Sequence, residues 1–213
     1  MKHLMIRLIM PRITPEITEN PLILVNGIVL LALTVLTSVF ISLYAWNVYK
    51  GNKKKAVLFF TVIAALTALS LFCFFGCAAT TVKGIIFCLL LAFSSYEDIK
   101  TRECENCVHL MIVIAAFIGT DMSTLPGMLL PALVIGRIML TTAAITKSSI
   151  GGADIKLSAA CAFMLGTVQG MTGLMIGLIL AVIINSIKNR KKKYEGFHLI
   201  PYLAVGFMTA YFM

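Results

Sequence analysis

Eight stretches of mostly apolar residues alternate with short polar segments along the chain. They cover roughly residues 22–46, 56–76, 81–97, 105–121, 126–146, 154–168, 169–187 and 197–213. A helix that crosses a membrane needs about 20 consecutive, mostly apolar residues. The pattern therefore predicts an all-α, polytopic membrane protein, a bundle of about eight transmembrane helices. The count falls to seven if the sixth stretch enters the membrane and returns to the same side.

The composition excludes several other classes of protein. Of the 213 residues, 60% are hydrophobic and only 13% are charged, which is too little polar surface for a soluble domain. The formal net charge of +9 would suit a nucleic-acid partner, but in a membrane chain basic residues usually set the orientation. We therefore expect the lipid bilayer, and no nucleic acid, as the surroundings of this chain.

The basic residues are concentrated on one side of the predicted bundle. Thirteen of the 18 lysines and arginines fall in the connections between helices 1 and 2, 3 and 4, 5 and 6, and 7 and 8. Cytoplasmic connections carry the excess of Lys and Arg in membrane proteins. The distribution predicts that these connections face the cytoplasm and that both termini face outward. Residues 1–21 read as an extramembrane or interfacial tail.

Acidic residues cluster at the cytoplasmic ends of three predicted helices. Asp98 ends the third helix and Asp154 begins the sixth. Two crossings separate them, so both carboxyl groups are expected at the same face although they are 56 residues apart in sequence. Carboxylates at membrane depth are costly to desolvate, so we expect them to serve a function. Simple helix capping by Asp154 and an interfacial position for Asp98 remain the alternative interpretation.

Two carboxyl groups in one low-dielectric site are what an aspartic protease needs. Both cannot ionise easily, so one keeps a proton while the other takes a proton from water. Gly151 and Gly152 precede Asp154 and allow close approach of the backbone. The dipole of a helix N-terminus favours an ionised Asp154, which makes Asp154 the expected base and Asp98 the expected acid.

At these positions the chain resembles the prepilin peptidases, or type IV leader peptidases, which are membrane aspartic proteases of the GxGD type. The segment GGADIKL at 151–157 is similar to the family's Gly-x-Gly-Asp-x-Lys-Leu motif, and DIKTRECEN at 98–106 is similar to the motif around its first aspartate. IPYLAVG at 200–206 is similar to a C-terminal segment of the family. Two positions depart from the pattern: Ala153 replaces the second glycine, and Glu105 replaces a proline.

The resemblance implies the function and the site. It implies an endopeptidase that removes the leader of type IV prepilin-like precursors at the cytoplasmic face of the cell membrane, with no metal and no cofactor. Asp98 and Asp154 would be catalytic. The expected supporting residues are Gly151, Gly152, Lys156, Asn106 and Glu97. Glu97, with Glu103 and Glu105, would also give the site an acidic mouth that attracts a basic leader.

The resemblance also implies the domain organisation. It begins near residue 83, so residues 81–213 would form a six-helix peptidase core, and residues 1–80 would form the tail and two added transmembrane helices. Bifunctional members carry two Cys-x-x-Cys pairs in a cytoplasmic loop, whereas the corresponding stretch here, 49–56, has no cysteine. The chain is therefore expected to be a peptidase-only form. Its oligomeric state is not predicted.

Two other functions remain open at this point. Because of Ala153 and Glu105, the chain would also suit a weakly active or inactive membrane partner in pilus or secretion assembly. An ion-coupled transporter would also place carboxylates in a membrane cavity. The pair Cys104 and Cys107 is too small a set for a structural zinc site, and we interpret it as two free thiols.

Overall fold

The computed structural model describes residues 21–49, 53–145, 150–188 and 198–213, which form eight α-helices and no strand. The predicted tail lies outside the described residues except at its end. The helices are α1 (Pro21–Tyr49), α2 (Lys53–Phe75), α3 (Ala79–Thr101), α4 (Asn106–Ala116), α5 (Leu125–Ile145), α6 (Gly152–Leu165), α7 (Thr167–Lys188) and α8 (Ile200–Tyr211). A 3₁₀ turn, Met122–Thr124, leads into α5.

Five of these helices are long and apolar enough to cross a membrane, namely α1, α2, α3, α5 with its preceding turn, and α7. Helices α4, α6 and α8 have 11, 14 and 12 residues. At 1.5 Å per residue these three helices are about 17 to 21 Å long, less than the roughly 30 Å hydrocarbon thickness of a bilayer. The prediction of an all-α membrane bundle is confirmed, with three helices shorter than a full crossing.

A single glycine separates α6 from α7. The sequence predicted a tight turn within 166–170, and the structure places the whole turn at Gly166, whose φ of 83° is in the left-handed region. Glycine adopts this conformation without the steric cost that a side chain brings. Gly170 lies inside α7 and packs against Ala162 of α6. The predicted boundary at 168/169 is therefore wrong by about three residues, because the helix ends at Gly166.

The chain divides into two compact units, Met1–Leu89 and Leu90–Met213. In the first unit, α1 packs against α2. Small residues at every fourth position form the buried stripe of α1, as with Ser38 and Ser42. Gly27 of α1 lies so close to the Phe72 ring that an added Cβ would be 2.6 Å from it. The predicted boundary between residues 80 and 81 stays a prediction.

In the second unit, α6 is the central helix, since it contacts α4, α5, α7 and α8. Its side chains are buried around almost the whole helix, including Leu157, Ser158 and Cys161. A helix enclosed in this way needs apolar residues on every face, which explains why the sixth apolar stretch shows no polar stripe. The N-terminus of α6 is thereby held in the middle of its neighbours.

Helices α7 and α8 approach each other through glycines. Gly173 and Gly177 of α7 face Leu203, Gly206 and Phe207 of α8, and an added Cβ at any of these three glycines would fall within 3.0 Å of a facing atom. Small residues at i and i+4 let helix backbones approach closely in a membrane. This contact fixes the start of α8 beside the N-terminal end of α6.

Candidate active site

A cavity of about 450 Å³ lies within the second unit, at the ends of α3 and α6 and beside α7 and α8. Its polar lining comes from Asp98, Arg102, Asp154, Asn185 and His198. The remaining lining is mostly apolar, with Leu178, Ala181 and Val182 from α7 and Ile200 from α8. The two aspartates that the sequence singled out therefore share one cavity.

Asp98 lies in the last turn of α3 and is only 8% exposed. Its backbone carbonyl accepts a hydrogen bond of 2.9 Å from the amide of Arg102, which has a φ of 60°. A residue in the left-handed region ends a helix, so α3 stops one turn after Asp98. The Oδ2 atom of Asp98 is buried and has no hydrogen-bond donor among the described residues.

Asp154 lies in the first turn of α6 and is also 8% exposed. Its Oδ2 accepts a 3.0 Å hydrogen bond from the amide of Gly151, which caps the helix. A Cβ added to Gly151 would lie 3.1 Å from the same oxygen, so a side chain there would crowd the carboxylate. Gly152, in contrast, has open space around it. The expected close approach is therefore seen at Gly151 and not at Gly152.

Three further polar residues line the cavity, namely Arg102, Asn185 and His198, and the sequence interpretation assigned none of them to the site. His198 Nδ1 lies 3.4 Å from Asp98 Oδ2, an ion-pair distance when the imidazole is protonated. Asn185 enters from the otherwise apolar face of α7. The available signal was that His198 stands two residues before the segment 200–206, which resembles a C-terminal segment of the family, and that it is one of three histidines in the chain.

Glu97 is buried beside the loop that follows α3 and is not among the residues that line the cavity. It is 3% exposed, and its Oε2 accepts a 3.2 Å hydrogen bond from the amide of Glu105. This bond ties the loop after α3 back to the helix. Glu103 and Glu105 themselves are exposed. Their position fits the expected acidic mouth, whereas the burial of Glu97 gives it a structural role in the loop.

Lys156 and Asn106, both expected as supporting residues, contact each other. Lys156 Nζ donates a 2.9 Å hydrogen bond to Asn106 Oδ1. Asn106 is the first residue of α4 and Lys156 is in the first turns of α6, so the bond joins the two motif segments across 50 residues. Neither residue lines the cavity. Their hydrogen bond holds the start of α4 against the start of α6, and other residues line the cavity.

We expect the Lys156–Asn106 bond to be measurable as a coupling energy. Lys156→Met and Asn106→Ala should each lower the free energy of unfolding by about 0.5–1 kcal/mol, because the bond is exposed and partly screened. The double variant should lose little more than either single variant. Unfolding in detergent, followed by circular dichroism, measures this. Lys55→Met, at an exposed position on α2, is the control, and strictly additive losses would contradict the coupling.

The Cys104 thiol is not a reactive group. Cys104 lies in the loop between α3 and α4, with its Sγ 3.0 Å from Ser94 Oγ. Burial raises the pKa of this thiol to about 12, against the effect of the Ser94 hydrogen bond. A thiol that stays protonated at neutral pH is neither a nucleophile nor a ready metal ligand. Cys104 and Cys107 are free thiols, as interpreted from the sequence.

No metal-binding cluster is present in the part of the chain that the structure describes. No three His, Cys, Asp or Glu side chains there lie close enough together to hold an ion. What the arrangement offers is two buried carboxyl groups that interact electrostatically, an imidazole and a cavity large enough for water and an extended peptide. Such a set can activate water and polarise a carbonyl group.

Comparison with known protein families gives one match. Residues 85–186 match the family model described as the type IV leader peptidase family. The match contains Asp98 and Asp154 and ends within α7, so it does not include His198 or α8. No curated protein and no solved structure matches the chain.

Proposed function

We propose that this chain, whose residues 85–186 match the model of the type IV leader peptidase family, is an aspartic endopeptidase acting on type IV prepilin-like precursors at the cytoplasmic face of the cell membrane. The observation that carries the proposal is the shared cavity. Asp98 and Asp154, 56 residues apart in sequence, line one cavity at the ends of two helices.

The proposed reaction is hydrolysis of one peptide bond by water. The ionised carboxyl group takes a proton from water, and the resulting hydroxide adds to the scissile carbonyl carbon. The protonated carboxyl group donates its proton to the carbonyl oxygen. When the tetrahedral intermediate collapses, the C–N bond breaks and the nitrogen takes the proton that came from water. Both aspartates are needed, because each handles a different proton.

The surroundings of the cavity support a precursor that has a polar leader followed by an apolar helix. The α7 wall offers Leu178 and Val182 to an apolar segment. The loop after Arg102 exposes Glu103 and Glu105, which would attract a basic leader through electrostatic steering. Cleavage would then fall at the junction between the leader and the helix.

The orientation is supported by the basic connections. In sequence, Asp98 is followed by Lys100 and Arg102 at the α3–α4 connection, and Lys147 precedes Asp154 in the α5–α6 connection. Such connections are retained in the cytoplasm. The cavity would therefore open towards the cytoplasm, where a newly made precursor still carries its leader.

Cleavage in oriented vesicles tests both parts of the proposal. We expect inside-out membrane vesicles that contain the protein to shorten an added precursor at the leader junction, read by mass spectrometry of the new N-terminus. Right-side-out vesicles should leave the precursor intact until detergent is added. Vesicles from cells without the protein are the control.

Each outcome of the vesicle experiment has a distinct meaning. Cleavage by right-side-out vesicles alone would overturn the orientation. Absence of cleavage in detergent, with the protein folded, would overturn the peptidase assignment and favour an inactive assembly partner.

A further inference from the structure

The cavity contains one titratable side chain that the proposed reaction does not use, the imidazole of His198. It stands just before α8, and its Nδ1 lies 3.4 Å from Oδ2 of Asp98. That oxygen is buried and receives no hydrogen bond from the described residues. A cation beside a buried carboxylate offsets the cost of its desolvation. His198 is therefore placed to act on Asp98 and not on Asp154.

The two aspartates differ in the groups that face them. Asp98 faces His198, lies near the charge of Arg102, and also interacts with the backbone of Ile200. Asp154 accepts its hydrogen bond from the neutral amide of Gly151. A protonated carboxyl group can also accept that bond through its carbonyl oxygen, so the bond does not require Asp154 to be charged. A cation beside a carboxyl group favours its ionised form, which a neutral amide does less strongly.

We propose that His198 is a positioning residue that holds Asp98 as the ionised member of the pair, which makes Asp98 the base and Asp154 the acid. The proposal rests on the function proposed above and reverses the roles expected from the helix dipole at Asp154. Asp98 takes the proton of the attacking water and later gives it to the departing nitrogen. Asp154 gives its proton to the carbonyl oxygen and recovers it when the intermediate collapses.

Besides His198, the described residues place Asp98, Asp154 and Arg102 as charged or titratable groups in the cavity lining. Arg102 stays charged throughout the accessible pH range. The α7 wall contributes Asn185 and apolar residues, and the charged side chain that α6 contributes to the lining is that of Asp154. Lys156 of α6 is outside the cavity and bonded to Asn106. The basic stretch 189–193 lies outside the described residues. A change in the imidazole charge is thus the specific signal to look for.

The test compares pH profiles of kcat/KM for cleavage by the full-length protein, with His198→Asn and His198→Lys as variants. Asn keeps a neutral hydrogen-bond donor near the position of Nδ1. An ordinary imidazole has a pKa of about 6.5 and is neutral well above that pH, whereas Lys keeps its positive charge there. The wild type should exceed His198→Asn about tenfold at pH 5.5 and less than about twofold at pH 8.5. His198→Lys should retain the low-pH activity.

The direction in which His198→Asn changes the activity at low pH decides which aspartate is the base. If His198 supports an ionised base, its loss moves the acid limb of the profile to higher pH and lowers activity at low pH. A rise in activity of His198→Asn at pH 5.5 would overturn the proposal, because it would mean that Asp98 works as the acid. An equal loss at every pH would overturn it as well, since that is the result of a structural role.

The proposal and the underlying function fail in different ways. If Asp98→Asn is inactive while His198→Asn matches the wild type at every pH, the role of His198 is refuted and the peptidase assignment stands. If Asp98→Asn cleaves normally, the assignment itself is refuted. Thermal unfolding of each variant, with His198→Gln as the second neutral replacement, shows that the variants are folded.

Discussion

Replacing Asp98 or Asp154 by Asn is expected to lower the rate of precursor cleavage by about 10³-fold or more. General acid–base catalysis contributes about 10² to 10⁴-fold per group, and in the proposed reaction each carboxyl group handles a different proton. The loss should appear in kcat, because neither change removes the apolar wall that would bind the substrate. Single-turnover cleavage by purified protein in detergent measures it.

Asn is a stringent replacement at both sites because it preserves the local structure. At position 154 the amide oxygen can still accept the 3.0 Å hydrogen bond from Gly151 that caps α6. The variant should therefore fold and insert normally, and its thermal unfolding should match that of the wild type within about a degree. A loss of activity together with a loss of folding would not count as support for catalysis.

The matched control makes the same chemical change at a carboxylate far from the cavity. Asp121 is exposed in the turn before the 3₁₀ helix and makes no side-chain capping bond. Asp121→Asn should cleave at the wild-type rate. Near-normal cleavage by either Asp98→Asn or Asp154→Asn would refute the aspartic mechanism, and the cavity would then have to serve another purpose.

The fold and the pairing of the aspartates were predictable from the sequence because membranes restrict the choices. Apolar stretches of about 20 residues must be helices, and counting crossings brought Asp98 and Asp154 to one face. The exact helix ends were not predictable. Gly166 ends α6 through its backbone conformation, and nothing in the apolar pattern distinguishes it from Gly170. From the sequence alone, the apolar stretch 105–121 also looks long enough for a full crossing. The structure shows that α4 ends at Ala116.

The electrostatic neighbours of the site could not be read from the sequence, because they depend on tertiary contacts. His198 and Asp98 are 100 residues apart, and only the packing of α8 against α6 and α7 brings the imidazole to the cavity. Glu97 shows the opposite case. Its position beside Asp98 suggested a mouth residue, but adjacent residues on a helix point in different directions, and its side chain turns into the loop.

The second large effect is expected at Gly206, where α8 meets α7. Gly206→Ala should lower the free energy of unfolding by about 2–3 kcal/mol, because the added Cβ would overlap the carbonyl oxygen of Gly173 and lie 2.5 Å from the backbone nitrogen of Gly177. Alanine gains up to about 1 kcal/mol over glycine in a helix interior. That gain is smaller than the cost of displacing a neighbouring backbone, so we expect Gly206→Ala to be less stable than the wild type.

The same clash should reach the site, since α8 begins two residues after His198. If Gly206→Ala pushes α8 away from α7, the imidazole moves with it, and cleavage should fall together with the melting temperature measured in detergent. Gly127→Ala on α5, where an added Cβ meets nothing within 4 Å, is the control and should be at least as stable as the wild type. A Gly206→Ala protein as stable as Gly127→Ala would mean that α7 and α8 do not pack through their glycines.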